Sequence, residues 1–118
     1  MQCGLKDCAL EFRRFYETAM PTLEVGDEIV PAVIWKIEET DLKNMELVYP
    51  SEIYEREVWN FRTEKNVLKV TVFLMKETPF AFPKENEVEA MEEAYAEHSF
   101  DYSCVENALD RAKDREGE

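Results

Sequence analysis

The stretch Leu5-Lys6-Asp7-Cys8-Ala9-Leu10-Glu11-Phe12-Arg13-Arg14-Phe15-Tyr16-Glu17-Thr18-Ala19-Met20 decides the fold, because its period sets what every later element packs against. Leu5, Cys8, Ala9, Phe12, Phe15, Tyr16, Ala19 and Met20 recur at three- and four-residue steps. Lys6, Glu11, Arg13, Arg14 and Glu17 fall largely between them, which predicts an amphipathic helix over residues 5–20, stopped by Pro21.

Downstream the period changes. Val25-Gly26-Asp27 reads as a turn into a β-rich run over residues 28–38, carried by Ile29, Val30, Val33, Ile34, Trp35 and Ile37. Pro31 marks that run as an edge or a bulge, since proline cannot donate to a ladder. A short strand is expected at residues 45–49, ended by Pro50. Ser51 either caps a short helix or begins an extended segment. Residues 58–62 and 67–75 flank the polar Thr63-Glu64-Lys65-Asn66 and predict a hairpin, with Leu68, Val70, Val72 and Leu74 on one face. Residues 78–83, with prolines at both ends, form an extended connector carrying Phe80 and Phe82. Val88, Met91, Tyr95 and His98 define the stripe of a helix over residues 85–98. Ser103-Cys104-Val105-Glu106 fits a capping box for a final helix with Val105, Ala108, Leu109 and Ala112 inward and a frayed end. The expected class is α+β: an N-terminal helix, a three- to four-stranded antiparallel sheet, and two C-terminal helices packed on it.

Length and composition set the outer limits. The 118 residues suit a single domain, and Leu, Ile, Val and Phe make up 29 of them, enough for a hydrophobic core. Lys and Arg number 14 against 27 Asp and Glu, for a net charge of −13. That balance disfavours direct binding to nucleic-acid phosphates or anionic membranes, where affinity comes from basic groups. No apolar run approaches a membrane span and residues 1–7 lack a signal-peptide core, so the expected compartment is cytoplasmic. Three cysteines do not make a disulfide framework. The 21 Glu beside one Gln fit a heat-adapted source or an acidic specialist.

Catalytic signatures are missing. There is one His, no nucleophile elbow and no glycine-rich phosphate loop, and with 27 acids a carboxylate pair carries no information, so the reading leans away from an enzyme. No cofactor is expected. Cys3, Cys8, His98 and Cys104 supply the ligand number of a structural zinc site, but the cysteine spacing does not fit a zinc knuckle. Buried thiols and a helix-ending imidazole explain these residues without metal.

Two features point to a partner. Phe80 and Phe82, if exposed, would make an aromatic docking patch, although the loop could equally tuck both rings inward. Residues 85–106 hold eight acids and no Lys or Arg. Glu85, Glu89, Glu93 and Glu97 align at four-residue steps opposite the apolar stripe, with Asp101 just beyond. Each like-charge pair costs about 0.2–0.5 kcal/mol of helix stability, so stability alone would have interleaved lysines. The row either solvates the surface or imitates a phosphate backbone for a basic partner. The leading expectation is an acidic, non-enzymatic protein-binding module, such as an inhibitor or regulator docking on a nucleic-acid-binding surface. The alternative is a small-molecule-binding protein or enzyme with its pocket between the sheet and the first helix.

Overall fold

The computed structural model describes residues 1–118. It is an α+β protein with three helices and two separate antiparallel sheets, of three and two strands. The chain divides into two compact units, one formed by residues 2–33 and 77–118, the other by Met1 and residues 34–76.

The first unit begins with a strand, which overturns the N-terminal helix. Strand β1 runs Gln2–Phe15, β2 Thr18–Val25 and β3 Glu28–Val33, in the order β2-β1-β3. Two irregularities explain why these residues imitate a helix. The β1–β3 register shifts between Leu5 and Cys8, where Asp7 takes φ 57°. This bulge moves β1's inward face from Cys3 and Leu5 to Cys8, Leu10 and Phe12, so a period of two acquires one step of three. The second is the turn at Tyr16-Glu17. Tyr16 takes φ 54°, the left-handed geometry of primed hairpin turns, without the Gly or Asn that normally announces it. Pro21 lies within β2 opposite Phe12, where β2, as an edge strand, tolerates a missing amide donor. Pro31 is likewise on an edge strand, β3, opposite Gly4.

After β3 the connector over residues 78–83 lies beside β1 beyond the end of β3. Arg14 N–H donates to Pro79 O at 2.8 Å, Ala81 N–H to Phe12 O at 3.1 Å, and Arg13 bridges Phe80. Helix α2 spans Glu85–Glu97 and helix α3 spans Ser103–Arg115. α3 packs on β1, with Cys104, Val105, Ala108 and Ala112 buried in a core shared with Leu10, Phe12, Ala19, Val30 and Ala81. α2 adds Met91 and Tyr95 to that core. The expected Ser103 capping box does not form. Ser103 is already in the first turn, and its amide donates to Asp101 Oδ1 at 2.9 Å. The end is not frayed: Phe80 N–H donates to Glu118 O and Gly117 N–H to Phe80 O, both at 2.8 Å.

An ion pair locks the helix onto the sheet. Arg111 donates to Leu10 O at 2.7 Å and to Glu28 Oε2 at 3.0 Å, while Asn107 Nδ2 donates to Glu28 Oε1 at 3.0 Å. One α3 face thereby satisfies a β1 carbonyl and a β3 carboxylate together.

In the second unit, helix α1 runs Glu39–Val48, followed by strands β4 Tyr54–Arg62 and β5 Val67–Met75. The strand expected at residues 45–49 is therefore the end of a helix. Asp41 Oδ2 takes the Glu38 amide at 3.2 Å and starts the helix, and Leu42, Met45 and Tyr49 are its half-buried stripe. The β-rich run read over residues 28–38 ends early, since strand pairing stops at Val33. The hairpin forms as expected, paired from Tyr54↔Met75 to Arg62↔Val67, with Leu68, Val70, Val72 and Leu74 on one face beside Trp59 and Phe61.

The bulge makes one glycine indispensable. A Cβ on Gly26 would sit 2.6 Å from Ala9 Cβ and 3.2 Å from backbone atoms of Cys8 and Ala9. A Cβ on Gly4 would meet only the Ile29 side chain, which is exposed and free to turn away. Gly26→Ala is expected to cost about 1–3 kcal/mol, lowering the melting temperature by about 5–15 °C. Gly4→Ala should change it by less than about 3 °C, and thermal denaturation of the two variants side by side checks this.

Candidate functional site

The acidic row is carried by α2. The helix is anchored from beneath: Met91 and Tyr95, partly buried, pack against the core, and Thr18 Oγ1 donates to Glu87 at the first turn. Successive four-residue steps advance about 6 Å along the axis and turn about 40° around it, so Glu85, Glu89, Glu93 and Glu97 form a ladder that winds slowly across the outer face. All four are exposed and none forms an ion pair. The arginines of the same unit that form ion pairs are committed elsewhere: Arg13 pairs with Glu11 at 2.9 Å, Arg111 with Glu28 at 3.0 Å and Arg115 with Glu118 at 3.9 Å. Asp101 is exposed beyond the helix but differs from the row. The Ser103 amide and hydroxyl hold its carboxyl below the usual range, so it is already occupied in starting α3.

The two connector aromatics part company. Phe80 is 3% exposed, clamped between the guanidinium carbons of Arg13 and Arg115, each 4.4 Å from the ring centroid. Phe82 is 42% exposed. The two rings therefore do not form one exposed patch. Phe80 is a structural anchor, and Arg13 and Arg115, which cover it, were invisible in the sequence because the cover comes from β1 and the end of α3.

The candidate metal ligands are not gathered. No group of three or more His, Cys, Asp or Glu side chains is placed to hold a metal ion. His98 stacks on Phe100 with centroids 5.2 Å apart, and its Nδ1 lies 3.4 Å from Gln2 Nε2. Cys104 is buried beside the Tyr95 hydroxyl at 3.8 Å, and all three thiols are free. Tyr95 in turn meets Phe100 and Tyr102 edge-on.

The pocket expected between the sheet and the first helix loses its wall, since that segment is β1. A cleft of about 450 Å³ is instead present inside the hairpin unit. It is lined by Tyr49, Tyr54 and Phe73, with the Glu46–Arg56 ion pair at 2.7 Å on its rim and Ser51 beside it. Tyr49 stacks on Phe73 and meets Tyr54 edge-on, both with centroids 5.0 Å apart. Burial, then the Tyr49 phenol, pushes Tyr54 up to about 12. Sequence reading missed the cleft because Tyr49 belongs to the mistaken strand.

No helix is long and apolar enough to cross a membrane. No protein-family model matches the sequence, no curated protein is significantly similar to it, and no solved structure matches it.

Two outcomes follow from this geometry. Phe80→Ala is expected to cost about 3 kcal/mol or more while Phe82→Ala costs under about 1 kcal/mol, measured by urea denaturation. The second concerns alkali. Burial raises the Cys8, Cys104 and Tyr95 groups above their ordinary values of 9.0, 9.0 and 10.0, and Tyr54 likewise. The unfolded chain therefore loses these protons first. Their contribution is fully present below about pH 9 and drains away as pH rises through the folded values, so the melting temperature should hold from pH 7 to 9 and fall steadily above it.

Proposed function

We propose that this chain is a non-enzymatic protein-binding module whose α2 carboxylate ladder docks on a basic surface of a partner. The concrete form is an inhibitor or regulator that occupies a nucleic-acid-binding groove. The supporting observation is the exposed, unpaired state of Glu85, Glu89, Glu93 and Glu97 in a unit whose Arg13, Arg111 and Arg115 are engaged elsewhere. The ladder costs about 0.2–0.5 kcal/mol for each of its neighbouring pairs and stabilises nothing in return, the pattern of a surface kept for encounter. A negative ladder steers a basic partner at long range and excludes nucleic acid from the same groove by competition. Phe82, exposed before the start of α2, adds an apolar contact at the ladder's edge. A compartment such as the cytoplasm, where nucleic-acid-handling proteins are at hand, suits this role.

A second reading, a small-molecule-binding protein, draws on the Tyr49–Tyr54–Phe73 cleft with its Glu46–Arg56 rim. The two readings separate by mutation, because the ladder and the cleft share no residue.

Glu89, Glu93 and Glu97 replaced together by Gln keep side-chain length and relieve all three like-charge pairs of the row. The melting temperature should hold or rise by about 1–4 °C. Partners captured from lysate of the source cell by the unaltered chain at low salt should be lost both with this variant and at 1 M salt, where the Debye length shrinks to about 3 Å. Unchanged capture by the triple variant overturns the ladder as the docking surface.

A further inference from the structure

The hairpin unit carries a different surface. β4 and β5 form a sheet of only two strands, so each has one edge with no strand beside it. The two edges are not alike. β4 carries Glu55, Arg56, Glu57 and Arg62, the charges that keep an edge from pairing. β5 reads Val67-Leu68-Lys69-Val70-Thr71-Val72-Phe73-Leu74-Met75, with one charge in nine residues and neither Gly nor Pro. An isolated two-stranded sheet is marginal in water and gains stability from added strands or a packed helix.

The order of residues along β5 is close to symmetric about Thr71. Laid antiparallel against a second copy with Thr71 opposite Thr71, Val70 meets Val72, Leu68 meets Leu74 and Val67 meets Met75, each with its own class. The sole charge, Lys69, falls opposite Phe73, a cation against an aromatic ring, and no like charges meet. Charge is also partitioned between the units. Residues 34–76 hold eight acids and seven bases, so nearly all of the net −13 lies in the other unit. The side chains flanking the edge respond as well. Leu68, Val70, Val72 and Leu74 are half-exposed, and an added strand covers their flanks.

We propose that β5 is a self-recognition edge, through which two copies of this chain join antiparallel about Thr71 into a continuous four-stranded sheet, β4-β5-β5-β4. The contact is isologous, so it closes at a dimer and leaves the charged β4 edges outermost. One strand pairing buries less than a standard interface of about 1,600 Å², so the dissociation constant should be in the micromolar range. Two copies that each carry −13 repel, and salt should therefore strengthen this dimer, the reverse of its effect on the α2 ladder.

Sedimentation equilibrium of the full chain across micromolar concentrations should give a reversible monomer–dimer equilibrium that shifts toward dimer between 0.05 and about 0.5 M salt. Thr71→Lys and Thr71→Glu each place like charges across the two-fold axis and should weaken self-association at least tenfold. An equimolar mixture of the two variants should restore a dimer containing one copy of each. Val58→Lys, which changes the same sheet face on the outer strand β4, opposite Thr71, should leave the dimer intact. A wild-type chain that stays monomeric throughout, or a dimer untouched by both Thr71 variants, overturns the proposal. Should the Thr71 variants fail to fold, hydrogen exchange on the unaltered chain decides. Those β5 amides that do not bond to β4 should exchange at least tenfold more slowly in concentrated than in dilute solution, and equal rates at both concentrations overturn the proposal as well.

Discussion

A left-handed backbone at Asp7 sets the seat of α3, and most of the first unit depends on it. The bulge between Leu5 and Cys8 turns Cys8, Leu10 and Phe12 toward the helix, where Val105, Ala108 and Ala112 receive them. Two alanines on that helix face let its axis come close enough for Arg111 to reach the Leu10 carbonyl at 2.7 Å. The same arginine holds Glu28 at the start of β3, the strand that the turn at Gly26 delivers. Gly26 N–H in turn donates to Asp7 O at 3.2 Å, so the bulge, the turn and the ion pair form one closed set of constraints. Removing the bulge by deleting a residue would turn Leu10 and Phe12 to the opposite face and leave α3 without a core.

The same bulge explains which parts of the fold were legible. A helix with its stripe opposite charges, as in α2, needs only local period to be read, and Val88, Met91 and Tyr95 supply it. The β4–β5 hairpin was legible for the same reason, with strict alternation on both sides of a polar turn. β1 was not, because one step of three followed by a Tyr-Glu turn reproduces helical spacing across two strands. α1 was missed because Met45, Leu47, Val48 and Tyr49 look like a strand when read apart from Glu38 and Asp41, whose hydrogen bond starts the helix. Within the candidate site, the Glu ladder was readable because exposure opposite an apolar stripe follows from helix geometry. The burial of Phe80 was not, since it depends on Arg13 and Arg115, about 65 and 35 residues away.

Net charge is divided unevenly between the units, while both expose apolar side chains. The unit built on β1 and α3 has a well-formed core and nearly all of the net charge. The hairpin unit is almost neutral, buries only Tyr54 fully, and exposes Trp35 (73%) and Leu47 (83%). The two proposed surfaces, the α2 ladder and the β5 edge, are expected to respond oppositely to ionic strength, the first weakened by salt and the second strengthened.

The carboxylate ladder is tolerable because α2 does not rely on its own surface for stability. Its three neighbouring like-charge pairs together cost about 0.6–1.5 kcal/mol. Against this, Met91 and Tyr95 pack into the core, and burial of side chains of that size contributes about 1.5–3 kcal/mol each when complete. The hydroxyl of Thr18 on Glu87 ties the first turn to β2, at the end of the helix where the dipole favours a carboxylate. Met91 and Tyr95 are partly buried and realise only a share of this, which offsets a repulsion of similar size on the outer face. The acids could have been lysines alternating with glutamates at no loss to the fold. Their uniform sign is a property of the outer face alone, and it acts on whatever approaches that face.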